Sequence, residues 1–416
     1  MSVAVVGGGV VGLSCAWSLH RRGFDVTLLD AGPFGGAASA VNAGWVTPSL
    51  STPLAAPGIM KTGLRQAFDP RGALVIRPRV DTSWIRWLWR FRAAAAPGAY
   101  ERGVKALMEL NDRTLDLFDE YRDGGVEFEM HSAGILALAR DRDHLSWFTQ
   151  LFEELGRLGF QGDIDFLSAA EAREREPAVG DAVGAAARTS VDRHVDPVSL
   201  TRGLADSLRR RDVRLLEHTR VNGMTRRDGR WLLDTGSGPV RADQVVVALG
   251  AASNSLLRPL GVRVPMLGAK GYSVDLRGEG LLPVHALYLM EPKVGLSPVS
   301  SGLRIAGVFE LAGRQDDRVV PHRIRQIVED SVPYLSDWHP GPDGYESRGM
   351  AGLRPATPDS LPFLGEIPRL PGMYLAAGHG MLGVTLAPAS GEAIADMIEH
   401  RAVPGKLLPF QLAGRI

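Results

Sequence analysis

The stretch Val3-Ala4-Val5-Val6-Gly7-Gly8-Gly9-Val10-Val11-Gly12-Leu13 decides how the first part of this chain folds. Its β-branched run predicts a buried strand, and the helical spacing from Leu13 to Arg22 predicts a helix that ends at Gly23. A second apolar run, from Val26 to Asp30, predicts another buried strand. The sequence therefore predicts a βαβ unit with a glycine-rich first turn.

The glycine spacing in this turn is typical of dinucleotide-binding folds. Gly7 permits the tight turn, Gly9 allows a pyrophosphate to approach the backbone, and Gly12 lets the helix pack closely on the strand. The helix N-terminus supplies donors and partial positive charge, and Asp30 at the end of the next strand can accept ribose hydroxyls. This motif alone does not separate NAD from FAD.

The composition bounds the remaining possibilities. The chain has 416 residues, which predicts two or three domains, and its formal net charge is zero, so nucleic acid is not an expected partner. The single cysteine, Cys15, excludes protein-held cysteine metal sites and iron–sulfur clusters, and we expect no metal. It also favours a reducing, cytoplasmic location, and no apolar stretch reaches the roughly 18 residues of a membrane-spanning helix.

Further motifs carry a family resemblance. They are Asn42-Ala43-Gly44-Trp45, Ser51-Thr52-Pro53-Leu54-Ala55-Ala56-Pro57-Gly58, Leu353-Arg354-Pro355-Ala356-Thr357-Pro358-Asp359 and Gly378-His379-Gly380-Met381-Leu382-Gly383. With them, the chain resembles the D-amino-acid-oxidase superfamily of FAD enzymes from Val3 to about Ile398. Within it, the pattern is most similar to the small subunit of bacterial D-amino-acid dehydrogenase.

The resemblance implies a fold of two parts. A Rossmann-like α/β domain that binds FAD, with a parallel sheet and helices, would be discontinuous and comprise residues 1–122, 165–255 and 345–416. An α+β substrate-binding domain, with a mixed β-sheet flanked by helices, would comprise residues 123–164 and 256–344.

It also implies which residues hold the cofactor. Ser39 and the residues 42–44 would line the pyrophosphate and flavin, and Val221 with the turn at Gly250 would lie near the adenine. The turn before the last helix would direct backbone N–H groups at the flavin and stabilise the negative charge of its reduced form. The complete expected set is Gly7, Gly9, Val10, Val11, Gly12, Asp30, Ala31, Ser39, Asn42, Ala43, Gly44, Val221, Ala248, Gly250, Arg354, Gly378, His379, Gly380, Met381, Leu382 and Gly383.

Four residues are the implied catalytic candidates. Arg354 would bind the substrate carboxylate, because a guanidinium offers two parallel donors where lysine offers a point charge. Tyr272 could donate to the same carboxylate, and Lys270 could lie near flavin N5 or tune its reactivity with oxygen, although both also suit structural strand positions. His379 would contact flavin through its backbone or act as an acid or base.

The implied reaction is oxidative deamination of a small amino acid, a D-amino acid by resemblance, with hydride transfer from Cα to flavin N5. One alternative is an oxidoreductase for secondary amines or imino acids such as proline, hydroxyproline, sarcosine or glycine. Another is a non-catalytic FAD-bearing subunit for electron transfer or scaffolding. The electron acceptor, whether oxygen, a quinone or a redox partner, is left open, as are stereochemistry, covalent flavin attachment and oligomeric state.

The segment from Trp84 to Arg92 permits two interpretations. Its helical spacing places Trp84, Trp87, Leu88 and Phe91 on one face, and Arg86 with Arg90 on another. The helix could contact a membrane as a peripheral anchor at the inner face, or it could pack its aromatic residues onto the FAD-binding domain.

Overall fold

The predicted βαβ unit is present in the computed structural model, which describes residues 1–60, 71–76, 81–311, 316–341 and 345–415. A strand at Ser2–Val6 leads into a first helix at Val10–Arg21, and a second strand follows at Asp25–Leu29. The two strands are parallel, with Val5 opposite Leu28. The strand, helix and strand expected from the opening sequence are thereby confirmed.

These strands belong to a sheet that we call the parallel sheet. Its strands follow the spatial order Arg214–Leu216, Asp25–Leu29, Ser2–Val6, Gln244–Val247, Met373–Ala377 and Phe363–Glu366, the last of them antiparallel. Val3 and Val5 pack on one side of the sheet, whereas Ala4 and Val6 pack on the other. Both faces are covered, which explains why these strands are continuous apolar runs rather than alternating ones.

A larger sheet, the mixed sheet, forms the second layer of the molecule. Its strands follow the order Met350–Ala356, Leu267–Leu276, Gly302–Leu311, Val294–Val299, Ala286–Leu289, Ile135–Ala139, Ala185–Thr189 and Ile164–Ser168, and Leu74–Ile76 pairs beside Gly302–Leu311. The strands at 164–168, 185–189 and 350–356 lie almost wholly in segments expected in the FAD-binding domain. Their hydrogen bonds place them in the mixed sheet instead.

Smaller elements complete the fold. The remaining strands are Val221–Arg227, Arg230–Thr235 and Val240–Ala242, which form an antiparallel meander, Trp45–Val46 with Arg193–Val195 and Met130–His131, and Glu279–Gly280 with Trp338–His339. The other α-helices are Ala38–Val41, Thr82–Ala94, Pro97–Asn111, Thr114–Asp123, Ser146–Arg157, Ala169–Arg175, Pro197–Arg209, Ser253–Leu257, Pro321–Glu329 and Gly383–His400. Short 3₁₀ turns occur at Pro48–Leu50, Asp143–Leu145, Gly250–Ala252, Arg258–Leu260, Val332–Tyr334, Tyr345–Arg348 and Gly405–Phe410.

The helix at Thr82–Ala94, which we call the aromatic helix, packs on the mixed sheet. Trp84, Trp87 and Phe91 are buried in a cluster that contains Ala269 and Phe309 of that sheet. Trp87 Nε1 also donates to the carbonyl of Ala356 at 3.2 Å, in the segment 345–416 that is expected in the FAD-binding domain. No helix within the described ranges combines the length and apolarity needed to cross a bilayer.

The C-terminal helix, Gly383–His400, packs tightly against the first helix. A Cβ atom added at Gly391 would lie 2.5 Å from the backbone oxygen of Ser14. That contact lets the two helices approach closely, and it joins the last part of the chain to the opening βαβ unit.

We predict that Gly391→Ala lowers the apparent Tm, because the added methyl group overpacks this contact at a cost of about 1–3 kcal/mol. The matched control is Gly156→Ala in the helix Ser146–Arg157, where an added Cβ meets nothing within 4 Å. There alanine should stabilise by about 0.5–1 kcal/mol through helix propensity. Thermal unfolding of both purified variants tests this, and equal stability of Gly391→Ala and Gly156→Ala would contradict the packing.

Candidate active site

A cleft of about 570 Å³ opens where strands of the parallel sheet end. Gly7, Asp30 and Ala248 each come directly after a parallel strand, and all three line the cleft. His379, two residues beyond the strand Met373–Ala377, lines it as well. Ligands of open α/β sheets bind at this carboxyl edge, so the topology alone marks the site.

The glycine-rich turn forms one wall of the cleft. A Cβ atom at Gly12 would lie 1.8 Å from the carbonyl oxygen of Gly7, so the helix can approach the strand only with glycine there. The hydroxyl of Ser39, in the short helix Ala38–Val41, accepts a hydrogen bond from the Val10 amide at 2.9 Å and so caps the first helix. Gly7, Gly9, Val10, Val11 and Ser39 line the cleft, whereas Gly12 lies behind it.

Asp30 fixes the shape of this wall. Its carboxylate accepts the amide of Gly8 at 2.7 Å and the amide of Gly32 at 2.8 Å. Asp30 and Ala31 both line the cleft. Each carboxylate oxygen keeps a further lone pair for an incoming donor, so the contact with ribose hydroxyls stays a prediction.

The loop around Asn42 connects the two sheets. The Asn42 side chain donates to the Ser39 carbonyl at 2.6 Å and accepts the Gly44 amide at 2.7 Å. The carbonyl of Ala43 accepts the Ser297 hydroxyl of the mixed sheet at 2.7 Å. Asn42 lines the cleft, but Ala43 and Gly44 lie outside its lining and act through the loop they shape.

Of the other expected cofactor residues, some line the cleft and some lie outside its lining. Val221, Ala248 and Gly250 line the cleft. Thr219, two residues before Val221, donates its amide to the Asp30 carbonyl at 2.6 Å. In the turn before the C-terminal helix, the cleft-lining residues are His379, Gly380, Met381 and Gly383. Gly378 and Leu382 lie outside the lining.

Arg354 lines the cleft from the edge strand of the mixed sheet. Its Nη1 donates to the carbonyl oxygen of Val308 at 2.8 Å, and its guanidinium lies 5.8 Å from the centre of the Phe309 ring. Burial lowers the pKa of this guanidinium to about 10, so it still carries its charge at neutral pH. Among the described residues, no carboxylate lies within ion-pair distance of Arg354.

Two neighbouring positions hold this side chain. The sequence did not indicate either of them as a site residue. A Cβ atom at Gly271 would lie 1.9 Å from Arg354 Nη1, so glycine leaves the room that the guanidinium occupies. Val308 has a positive φ of 62°, an uncommon conformation for a β-branched residue. It lies where the pairing of the strands at 267–276 and 302–311 shifts register, and this bulge directs its carbonyl at Arg354.

The structure corrects the roles expected of Lys270 and Tyr272. Successive side chains of a strand point to opposite faces, and Gly271 between them is the residue that lines the cleft. Tyr272 is fully buried and its hydroxyl donates to Glu310 at 3.2 Å. Lys270 Nζ donates to the carbonyl of Arg318 at 3.1 Å and lies 3.6 Å from Asp316. Neither side chain lines the cleft, so neither is placed to contact substrate or flavin.

His379 is placed as a neutral, fixed side chain. Its Nε2 is 2.9 Å from the hydroxyl of Ser390 in the C-terminal helix, and burial lowers the pKa of the imidazole to about 3. The next residue, Gly380, donates its amide to the carbonyl of Pro355 at 2.9 Å and so joins this turn to the Arg354 strand. The arrangement favours a structural role for the ring over acid–base chemistry.

Comparison with known proteins gives the family. A family model described as FAD dependent oxidoreductase, DAO, matches residues 2–397. This chain belongs to the DAO family. A D-amino acid dehydrogenase of Cereibacter sphaeroides is 34% identical over 412 residues, which cover 97% of this chain and 92% of that relative.

Solved structures of similar fold support the same assignment of architecture. Glycine oxidase from Geobacillus kaustophilus superposes with a TM-score of 0.76 at 23% identity, covering 100% of this chain and 98% of that one. L-proline dehydrogenase from P. horikoshii has a TM-score of 0.69 at 21% identity, covering 97% of this chain and 94% of that one. Both likenesses establish the DAO fold of this chain.

The cleft suits the FAD of a DAO-family enzyme. The starts of two helices, at Val10 and Gly383, line it and direct partial positive charge toward it, which favours a pyrophosphate and an electron-rich flavin. Asp30 follows the second parallel strand, where the ribose is expected, and Arg354 lines the same cleft from the mixed sheet. The residues that would hold FAD are therefore the cleft-lining members of the set predicted from the sequence.

We predict that the pH profile of flavin reduction contains no limb due to His379 between about pH 6 and 9. The lowered pKa keeps the imidazole neutral over this range, so protonation would begin only as the pH falls toward 3. The His379→Asn variant should keep the shape of the wild-type profile in anaerobic stopped-flow measurements. Loss of one limb in that variant would show that His379 exchanges a proton during the reaction.

Proposed function

We propose that this chain catalyses FAD-dependent oxidative deamination of a D-amino acid. The observation that carries the proposal is the guanidinium of Arg354, charged, partly buried, facing the cleft and without a carboxylate partner among the described residues. An amino acid brings the missing carboxylate. The D-amino acid dehydrogenase relative at 34% identity supports the substrate class and its handedness.

In this proposal, residues of the chain orient the substrate and fix the cleft wall, and bound FAD supplies the redox chemistry. Arg354 orients the substrate through parallel hydrogen bonds to its carboxylate, and the Val308 carbonyl fixes the plane of the guanidinium. The turn from His379 to Gly383 fixes the other wall of the cleft and contributes the N-terminal field of the C-terminal helix. Bound FAD supplies the ring that accepts hydride from the substrate Cα, and the imino acid product hydrolyses in water.

In this scheme, the rate enhancement comes from positioning of the substrate against the flavin. Asp30 lines the cleft where the ribose is expected, and the neutral ring of His379 is bonded to Ser390. No side-chain base is needed if the substrate binds with its amine neutral, and proximity and orientation then supply the acceleration. The division into an FAD-binding domain and a substrate-binding domain, drawn from the sequence, remains part of this proposal.

Two rival functions have distinct signatures. The structural neighbours are named glycine oxidase and L-proline dehydrogenase, which keeps secondary amines and glycine as candidate substrates. A non-catalytic electron-transfer subunit would keep its flavin oxidised in the presence of any amino acid. Anaerobic reduction of the isolated holoprotein across D- and L-amino acids, proline, hydroxyproline, sarcosine and glycine separates the three.

We predict that Arg354→Ala keeps its bound FAD and raises the apparent KM for the preferred D-amino acid by about 100-fold or more, because two charge-assisted hydrogen bonds are lost. Arg354→Lys should lie between Arg354→Ala and the wild type, since lysine offers only a point charge. Steady-state kinetics and the flavin absorbance of the purified variants test this. An unchanged KM in Arg354→Ala would refute the assignment.

A second pair of variants checks the support of Arg354. Gly271→Ala places a methyl group where the guanidinium now lies, so it should raise KM while leaving the flavin spectrum intact. Gly268→Ala, on the same strand, meets only the Leu353 side chain at 3.4 Å and serves as its control. Equal kinetics in the two variants would show that Gly271 does not position Arg354.

The electron acceptor and the cellular location belong to the proposal as well. We expect oxygen, a quinone or a protein partner to accept the electrons, in a chain that we expect to be cytoplasmic. The outward face of the aromatic helix favours contact with a membrane surface. Trp89 is 75% exposed and Ile85 is 54% exposed, with Arg86 and Arg92 exposed beside them. Exposed apolar and basic residues on one helix face are typical of interfacial helices.

We predict that the holoprotein co-sediments with vesicles containing anionic phospholipid and that Trp89→Ser weakens this binding about tenfold, through loss of the exposed indole. Trp147→Ser is the matched control, because Trp147 is also exposed, at 43%, but lies on the helix Ser146–Arg157. Equal binding of the two variants, or no binding of the wild type, would remove the membrane contact from the proposal.

A further inference from the structure

Asp317 is a carboxylate of the cleft that the reaction described above does not use. It lies in the segment 316–320, before the helix Pro321–Glu329, and it is exposed and lines the cleft. Its neighbour Asp316 pairs with Arg318 at 2.9 Å. In the part of the chain that the structure describes, no cation pairs with Asp317 itself.

A buried lysine joins the segment that carries this carboxylate to the strand beside Arg354. Lys270 Nζ donates to the carbonyl of Arg318 at 3.1 Å and lies 3.6 Å from Asp316, on either side of Asp317. Lys270 is adjacent to Gly271, the residue that makes room for the Arg354 guanidinium. The segment that carries Asp317 is thereby tethered to the strand under Arg354, which gives Lys270 a purpose other than the one expected from the sequence.

We propose that Asp317 binds a positively charged side chain of the substrate, so that the site favours D-amino acids with basic side chains such as lysine and arginine. This inference rests on the proposed function. Arg354 would hold the carboxylate inside the cleft, and Asp317 would contact the distant ammonium or guanidinium at its exposed edge.

The chemistry favours the distant cation over the α-ammonium. A carboxylate beside the α-amine would stabilise its protonated form and raise its pKa, which opposes loss of hydride from Cα. An exposed carboxylate at the edge of the site has no such effect on the reacting amine. It would instead select among substrates by charge complementarity.

The test compares D-lysine with D-norleucine, which has a similar unbranched side chain and no distal ammonium. The wild-type holoprotein should show a higher kcat/KM for D-lysine. Asp317→Asn should lower the D-lysine value by roughly tenfold and leave the D-norleucine value within about twofold. Asp317→Glu should retain most of the preference, and added salt should reduce it in the wild type.

Asp234→Asn provides the matched control, because Asp234 is also exposed but lies on the antiparallel meander. Equal losses for D-lysine and D-norleucine in Asp317→Asn would overturn the proposal in favour of an α-ammonium contact, and no loss for either would overturn it altogether. If no D-amino acid reduces the wild-type flavin, the proposed function fails first. If D-amino acids reduce the wild-type flavin but Asp317→Asn affects D-lysine and D-norleucine equally, only the Asp317 subsite is refuted.

Discussion

The charge of Arg354 is the constraint around which the cleft is arranged. Removing a guanidinium from water without an acidic partner is unfavourable, and burial lowers its pKa to about 10. The protein offsets this cost only in part. Arg354 donates a hydrogen bond to the Val308 carbonyl, and its guanidinium makes a cation–π contact with the ring of Phe309. In the proposed function, a ligand carboxylate would complete the set, because it is the group that an amino acid always carries.

Several unrelated parts of the fold hold that charge in place. The edge strand Met350–Ala356 carries it, the bulge at Val308 points a carbonyl at it, and Gly271 leaves space for it. The amide of Gly380 then bonds to the residue after Arg354, which ties the mixed sheet to the turn that starts the C-terminal helix. This hydrogen bond joins the turn that lines the cleft to the strand that carries Arg354.

The sequence was sufficient for the parts of this site that depend on local pattern. The glycine spacing and Asp30 predicted the βαβ unit and the cleft wall, and the motif around Arg354 predicted a residue that lines the cleft. Its role as substrate anchor stays a prediction. It was insufficient for Lys270 and Tyr272, because a motif does not say which face of a strand a side chain takes. The register places Gly271 toward the cleft and its two neighbours away from it.

Tertiary geometry explains the remaining omissions. The backbone of Val308 is set by a register shift between two strands that are far apart in sequence, and nothing in its immediate neighbours signals a positive φ. Asp317 precedes a helix in a polar segment that resembles an ordinary surface loop. A hydrogen bond from Lys270 to the carbonyl of Arg318 joins that segment to the strand Leu267–Leu276, and no local pattern indicates this contact.

The strand order of the parallel sheet has a consequence for synthesis. The strand Ser2–Val6 pairs with Gln244–Val247, which in turn pairs with Met373–Ala377, so the opening strand waits for residues made much later. A chain made only as far as Gln244–Val247 cannot complete the sheet, since Phe363–Glu366, Met373–Ala377 and the C-terminal helix are still missing. Loading with flavin should therefore follow synthesis of the C-terminal helix rather than accompany that of the opening βαβ unit.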